Sequence, residues 1–243
     1  MTAMALIPAR GGSKRLPGKN VRRFAGRPLL TYSVAFARHA AGIDRCIVST
    51  DDDEIAAVAL EAGAEVIRRP ASLATDTAPT AAAVVHALEA IGGDGGVPDV
   101  VVLLQPNCPL RPSGLAERAL TQLAASGADS VISVTPHHHK TGAVVDGRFV
   151  PDYVPGTRSQ DLAPRVFENG VIYATWSRVV LARHSVFGDH ISPLMIDPLF
   201  AMGDIDTPLD WEVAEHLFHV HRQEFDWMPT DLPTPATSPR GPR

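Results

Sequence analysis

The run Pro8-Ala9-Arg10-Gly11-Gly12-Ser13-Lys14-Arg15-Leu16-Pro17-Gly18-Lys19-Asn20 constrains this chain more than any other stretch. It follows Met4-Ala5-Leu6-Ile7, a short apolar segment that reads as a buried strand. Gly26-Arg27-Pro28 comes after it, with Pro28 placed to open a helix. A strand, a glycine-rich turn carrying Arg10, Lys14, Arg15 and Lys19, and then a helix is a phosphate-binding layout. Glycine lets backbone N–H groups approach an anion, and the cations offset its charge.

Spacing removes two familiar phosphate loops. Gly11, Gly12 and Gly18 do not supply the G-x-G-x-x-G of a dinucleotide site. A Walker A loop needs G-x-x-x-x-G-K-[ST]; here five residues separate Gly12 from Gly18-Lys19, and Asn20 stands where a hydroxyl would reach magnesium. A standard dehydrogenase or ATPase is therefore disfavoured.

The loop is a local feature of an acidic protein. The formal charge of −5 argues against non-specific nucleic-acid or anionic-membrane binding and favours a site for a small anion. With 243 residues, the chain is within reach of one large α/β domain. Its two cysteines, Cys46 and Cys108, exclude a disulfide framework. No run approaches membrane-spanning length and no signal-type segment opens the chain, so a cytoplasmic protein is expected.

Along the chain, strands are expected at 44–50, 64–67, 99–105 and 130–134, and helices at 80–91 and 113–126. Asp51-Asp52-Asp53 reads mainly as a helix cap. The continuous apolar run 99–105 suits a parallel strand buried on both faces, and places Gln105 at its carboxyl end, where α/β sheets bind ligands. The alternation breaks after residue 134: Val144 to Val150 reads as a hairpin around Asp146-Gly147, and 151–165 as a polar loop. Val171 to Ala174 resumes the sheet, and a helix from Pro208 to about His221 closes it. Gly92 to Gly96 reads as a flexible turn, and the proline-rich tail 229–243 as disordered.

Two clusters invite a metal reading. In His137-His138-His139 only alternate residues of a strand share a face, and no Cys or carboxylate at zinc spacing accompanies them. A polar wall or a substrate contact suits the run better. Asp204-Ile205-Asp206 points two carboxylates the same way from an extended segment, which suits magnesium when phosphate oxygens complete the shell. A capping aspartate with an exposed neighbour is the alternative, and the phosphate loop favours the metal.

Together these segments resemble the acylneuraminate cytidylyltransferases, or CMP-sialic acid synthetases. The resemblance rests on 7–20, on Ile47-Val48-Ser49-Thr50-Asp51, and on Arg69-Pro70 with Leu73-Ala74-Thr75-Asp76-Thr77. It continues through Leu103-Leu104-Gln105-Pro106, Pro109-Leu110-Arg111, Glu168-Asn169-Gly170-Val171-Ile172-Tyr173 and 204–210, in order from about residue 4 to residue 220. It implies an α/β fold with a Rossmann-like, mostly parallel sheet and helices on both faces. It implies one domain over 1–228, with a hairpin-bearing dimerisation insertion at about 137–168. The implied reaction is magnesium-dependent transfer of CMP from CTP to an acidic sugar, such as a sialic, legionaminic or pseudaminic acid, by a homodimer.

By the same resemblance Lys19, Arg10 and Asp206 are the catalytic groups, and Ala9, Arg10, Gly11, Gly12, Ser13, Lys14, Lys19 and Asn20 hold the nucleotide. Arg69, Ala78 and Thr80 match the cytosine and ribose side. Asp204 and Asp206 match the magnesium ligands, and Gln105, Lys140, Arg158, Asn169 and Tyr173 the acidic-sugar side. The departures fall on the acceptor half: Asn107-Cys108 replaces Thr-Ser, Phe167 stands where many relatives have arginine, and Val186 to His190 lacks the aromatic pair. They keep open another acidic acceptor, a deoxyoctulosonate or a phosphonate. A nucleotide-binding regulator without turnover is the reading from a different class; Lys19 with Asp204 and Asp206 argues against it.

Overall fold

A computed structural model describes residues 1–92 and 96–228. The strands are β1 (Ala3–Pro8), β2 (Arg23–Phe24), β3 (Arg27–Pro28), β4 (Arg45–Thr50), β5 (Glu65–Arg68), β6 (Val100–Leu103), β7 (Ser130–His137), β8 (Gly142–Val145), β9 (Arg148–Pro151), β10 (Arg165–Trp176) and β11 (Ile191–Met195). The helices are α1 (Leu30–His39), α2 (Asp53–Glu61), α3 (Thr80–Gly92), α4 (Leu115–Ser126), α5 (Ser177–Arg183), α6 (Pro198–Ala201) and α7 (Pro208–Val220).

Seven strands form one sheet in the order β11-β7-β10-β6-β1-β4-β5. β1 lies parallel to β4 and β6, and β10 is inserted antiparallel between β6 and β7. The pleat explains the two cores. Ala3, Ala5, Ile7, Cys46 and Val48 face the layer carrying α1, α2, α4 and α7, while Met4, Leu6, Ile47, Val101 and Leu103 face α3 and α5. A mostly parallel sheet with helices on both faces is the architecture expected from the sequence.

Register decides where a site can form. Leu6 sits opposite Ile47 on one side and Leu103 on the other, so β1, β4 and β6 end together. The segments after Pro8, Thr50 and Leu103 therefore meet at one sheet edge, where parallel sheets place ligands. Antiparallel β10 brings Tyr173 beside Leu103, and its register shift between Glu168 and Tyr173 falls at that same edge.

Several expectations need correction. Pro28 ends the short strand β3; α1 begins at Leu30, because 23–28 fold into a tight hairpin with Ala25 and Gly26 at positive φ. Its Phe24 is buried edge-on against Tyr32 and Trp211 at 5.1 and 5.6 Å. β10 spans twelve residues rather than the short segment expected, because its first half pairs with β7 beyond the shift. β11 was not foreseen: Pro193 interrupts the sequence pattern, yet an edge position lets it pair with β7. The expected hairpin is present as β8–β9, with Asp146 and Gly147 both at positive φ. The expected tail at 229–243 lies outside the described residues, as does most of the 92–96 turn.

Candidate active site

The loop after β1 is pinned from within. Leu16 is buried, and Gly18 adopts φ 66° so that Val21 and Arg22 can both donate to its carbonyl. Asn20 Nδ2 closes the loop by donating to Arg10 O at 3.1 Å. These contacts leave Lys14 and Arg15 exposed on the outer side. Gly11 lies so close to α2 that a Cβ there would approach Asp52 Oδ2 to 2.5 Å, and its N–H donates to Asp51 Oδ1 at 3.2 Å. Asp52 is the cap of α2, accepting from Ile55 N at 2.9 Å, as expected for this acidic run.

The facing wall is the segment before α7. Ile205 is fully buried and its N–H donates to Asn107 O at 2.9 Å. Thr207 and Asp210 form a reciprocal capping box, and Asp210 Oδ2 also accepts from Asp206 N at 3.0 Å. Asp204 and Asp206 therefore project from a fixed backbone. Lys19 Nζ donates to Ile205 O at 2.6 Å and to Asp206 Oδ1 at 3.1 Å, and Arg15 reaches Asp206 Oδ2 at 2.8 Å. Asn107 Nδ2 donates to Asp204 Oδ1 at 2.6 Å. Packing around the Asp204 carboxyl, then the nearby negative charge of Asp206, pushes its pKa up, although the side chain keeps an edge open to solvent.

Between these walls lies a cleft of about 490 Å³. Arg10, Ser13, Lys14, Lys19, Asn20, Arg69, Ala78, Thr80, Gln105 and Asp206, all expected in the site, line it together. Asp76 was missed as a partner: it pairs with Arg10 at 2.6 Å and with Lys14, and these cations hold its carboxyl below the usual range. It stands within a recognised segment, as the acidic residue opposite the basic loop. Arg69 is buried, donates to Ser49 O at 3.3 Å and keeps Nε without a partner; burial lowers its pKa. Asn20 Oδ1 is likewise unpartnered.

The residues expected on the acidic-sugar side are distributed differently. Gln105 lines the cleft and donates through Nε2 to Tyr173 OH at 3.3 Å. Asn169 is buried, accepting from Ser133 at 2.5 Å and donating to Thr135 at 2.9 Å, so its amide faces β7. Lys140 lies over the Tyr153 ring at 5.6 Å and Arg158 pairs with Asp161 at 2.7 Å; neither lines the cleft. His137, at the end of β7, and His139 stack at 5.7 Å beside Asp152 and Arg165. Among the described residues no group of three or more His, Cys, Asp or Glu side chains could hold a metal by itself.

Sequence reasoning also missed Arg111 as a structural element. It is fully buried, donating to Val171 O at 3.0 Å, Ser33 Oγ at 2.9 Å and Gln105 O at 2.7 Å, and burial lowers its pKa to about 10. It ties the loop carrying Gln105 to β10 and α1. Only the neighbouring prolines hinted that this loop is rigid.

A basic loop at the carboxyl ends of parallel strands, faced across the cleft by Asp206, is a layout that suits a phosphate-bearing ligand. The cytidylyltransferase family model matches residues 4–154, and the chain belongs to that family. It is 34% identical over 230 residues to the CMP-N,N'-diacetyllegionaminic acid synthase of Legionella pneumophila, covering 92% of this chain and 99% of the relative. It is 30% identical over 230 residues to the pseudaminic acid cytidylyltransferase of Campylobacter jejuni, again covering 92% and 99%. Among solved structures, CMP:2-keto-3-deoxy-manno-octonic acid synthetase complexed with CTP superposes with a TM-score of 0.68 at 21% identity, covering 90% of this chain and 98% of that one.

Proposed function

We propose that this cytidylyltransferase transfers CMP from CTP to a nonulosonic acid of the sialic, legionaminic or pseudaminic type, releasing pyrophosphate. The observation that carries the reading is the pair of ion clusters flanking the cleft: Arg10 and Lys14 on Asp76, and Lys19 and Arg15 on Asp206. Each holds cations already gathered around one carboxylate, so an entering triphosphate meets preorganised positive charge. The relatives' activities and the end-to-end coverage of those chains support an acidic sugar as acceptor.

In this reading Arg10, Lys14 and Lys19 grip the triphosphate, while Arg69 and the backbone of Ala78 to Thr80 meet the nucleoside. A sugar hydroxyl attacks the α-phosphorus, the bond to the β-phosphate oxygen breaks, and pyrophosphate leaves. Positioning and charge neutralisation carry such a transfer. Asp204 and Asp206 would hold magnesium: two carboxylates of which one raises the pKa of the other have an electrostatic demand for a divalent cation. Such an ion would neutralise charge developing on the phosphates. Asp206 is also the candidate for taking the hydroxyl proton.

We further propose a homodimer. The insertion exposes apolar surface on β8, β9 and the start of β10, including Val144 at 76%, Phe149 at 57% and Phe167 at 43% exposure. Apposition of two lobes would cover that surface and carry Lys140 and Arg158 toward the neighbour's cleft. A cytoplasmic location fits the two free thiols, and among the described residues no helix is long and apolar enough to cross a membrane. The test is pyrophosphate release with CTP and magnesium against N-acetylneuraminic, legionaminic, pseudaminic and deoxyoctulosonic acids. Absence of turnover with the first three would remove the nonulosonate reading. A single mass of about 26 kDa by light scattering would remove the dimer.

A further inference from the structure

Glu168, Tyr173 and Gln105 form a hydrogen-bonded line from the β10 register shift to the cleft. Tyr173 OH donates to Glu168 Oε1 at 2.6 Å, and Gln105 Nε2 lies 3.3 Å from Tyr173 OH. The proton inventory orders this line. An ionised carboxylate can only accept, so the one phenolic proton goes to Glu168. The phenolic oxygen then has only lone pairs left for its second neighbour, and of the two ends of the Gln105 amide only the NH₂ can donate. The orientation of that amide thus follows from the partners and not from the near-identical shapes of its oxygen and nitrogen.

The surroundings agree. A Cβ added at Gly170 would come within 3.1 Å of the end of the Gln105 amide that meets Tyr173, so that end is packed against β10. The backbone of Gln105 is held by Arg111 through its carbonyl at 2.7 Å. Oε1 accepts no hydrogen bond among the described residues, and Gln105 lines the cleft.

We infer that Glu168 is a positioning residue for acceptor specificity: acting through Tyr173, it fixes Gln105 with its amide oxygen toward the cleft, so that this subsite accepts a hydrogen bond from a hydroxyl or amide N–H of the sugar. The inference rests on the acceptor reading proposed above and adds an orientation to it. An oxygen backed by a second carboxylate repels the acceptor's own carboxylate, which must therefore meet cations elsewhere in the site. Substrates that offer a donor at this point, a free hydroxyl or an acylamino group, are selected over those that do not.

The test compares the wild type with Glu168→Gln, Tyr173→Phe and the double variant. Glu168→Gln keeps the shape but can itself donate to the phenolic oxygen, freeing Tyr173 to donate to Gln105 and the amide to turn over. With CTP and whichever acid of the panel the wild type uses best, both single variants should raise the acceptor KM about tenfold, the scale of one hydrogen bond. The KM for CTP and the thermal midpoint should stay in place, and the double variant should be no worse than either single one. Independently of any acceptor, the Gln105 side-chain amide protons should exchange slowly in the wild type by ¹⁵N NMR and fast in Tyr173→Phe. An unmoved acceptor KM, or equal amide exchange in all the proteins, would overturn the inference. If the wild type turns over none of the acids, the acceptor reading falls, and the exchange experiment still decides the orientation of Gln105.

Discussion

Lys19 Nζ is held 3.1 Å from Asp206 Oδ1 and 2.6 Å from Ile205 O, joining the phosphate loop to the segment that caps α7 across 187 positions of sequence. The ammonium is the inner of the two cations on Asp206, its side chain 12% exposed against 73% for Arg15. A buried and an exposed cation on one carboxylate cannot contribute equally, because solvent screens the outer one.

Lys19→Ala should therefore lower kcat by about 10²- to 10³-fold, the cost of one preorganised charge contact, or about 3–4 kcal/mol. Arg15→Ala should cost less than tenfold. Steady-state pyrophosphate release decides between them. An unchanged rate in Lys19→Ala would move the phosphate duty to Lys14 or Arg15.

Asp206→Asn should abolish turnover while CTP binding stays measurable by calorimetry. The cleft keeps Arg10, Lys14 and Arg69 for the nucleotide, while the proposed metal ligand and proton acceptor is gone. Near-normal rates with magnesium in this variant would refute the metal assignment.

The basic loop and the acidic segment facing it were legible because each is written in contiguous residues. Arg10 to Asn20 form one loop, and 204–210 one capped helix start, so spacing alone placed their charges. The proposed acceptor side is assembled from side chains brought together by packing. Glu168 is linked to Gln105 only through Tyr173, across the register shift of β10, and β11 escapes the eye because Pro193 breaks its pattern at an edge. Asn169 is expected on the acidic-sugar side, but the same register shift turns its amide inward onto Ser133 and Thr135. Pro28 misled because proline favours helix starts on average, whereas Phe24 needed a hairpin to reach its aromatic pocket.

Arg111 yields a stability prediction. Its guanidinium has no carboxylate at ion-pair distance among the described residues, and it satisfies two buried carbonyls and one hydroxyl. Arg111→Met fills much of the volume but removes the guanidinium donor to Val171 O, while the Gln105 carbonyl keeps Cys108 N at 3.2 Å and Ser33 Oγ at 3.4 Å. The unfolding free energy should fall by about 1–3 kcal/mol, the desolvation cost of one acceptor left without its donor, with part of the buried charge's cost recovered. Urea denaturation followed by tryptophan fluorescence reports it, since Trp227 donates to the Arg111 carbonyl at 2.9 Å. A midpoint equal to wild type would mean that the loop relaxes onto other donors.

Asp129 gives the pH dependence. Its carboxylate accepts from the backbone of His190 at 3.1 Å and Asp189 at 2.9 Å, bonds that hold the turn before β11. The His190 N–H, then that of Asp189, with Arg183 adding, lower its pKa in the folded state. A carboxyl depressed on folding binds fewer protons folded than unfolded, so its contribution is present above the ordinary carboxylate range. That contribution is lost as pH falls through the lowered value. Asp129→Asn keeps the shape and one acceptor but removes the charge. Its stability deficit should be full at neutral pH and should close as pH drops below the carboxylate range, where the wild-type side chain is itself neutral. Urea midpoints of the two proteins between pH 7 and the acid limit of folding test this. A deficit that stays constant with pH would assign the effect to hydrogen-bond geometry instead of charge.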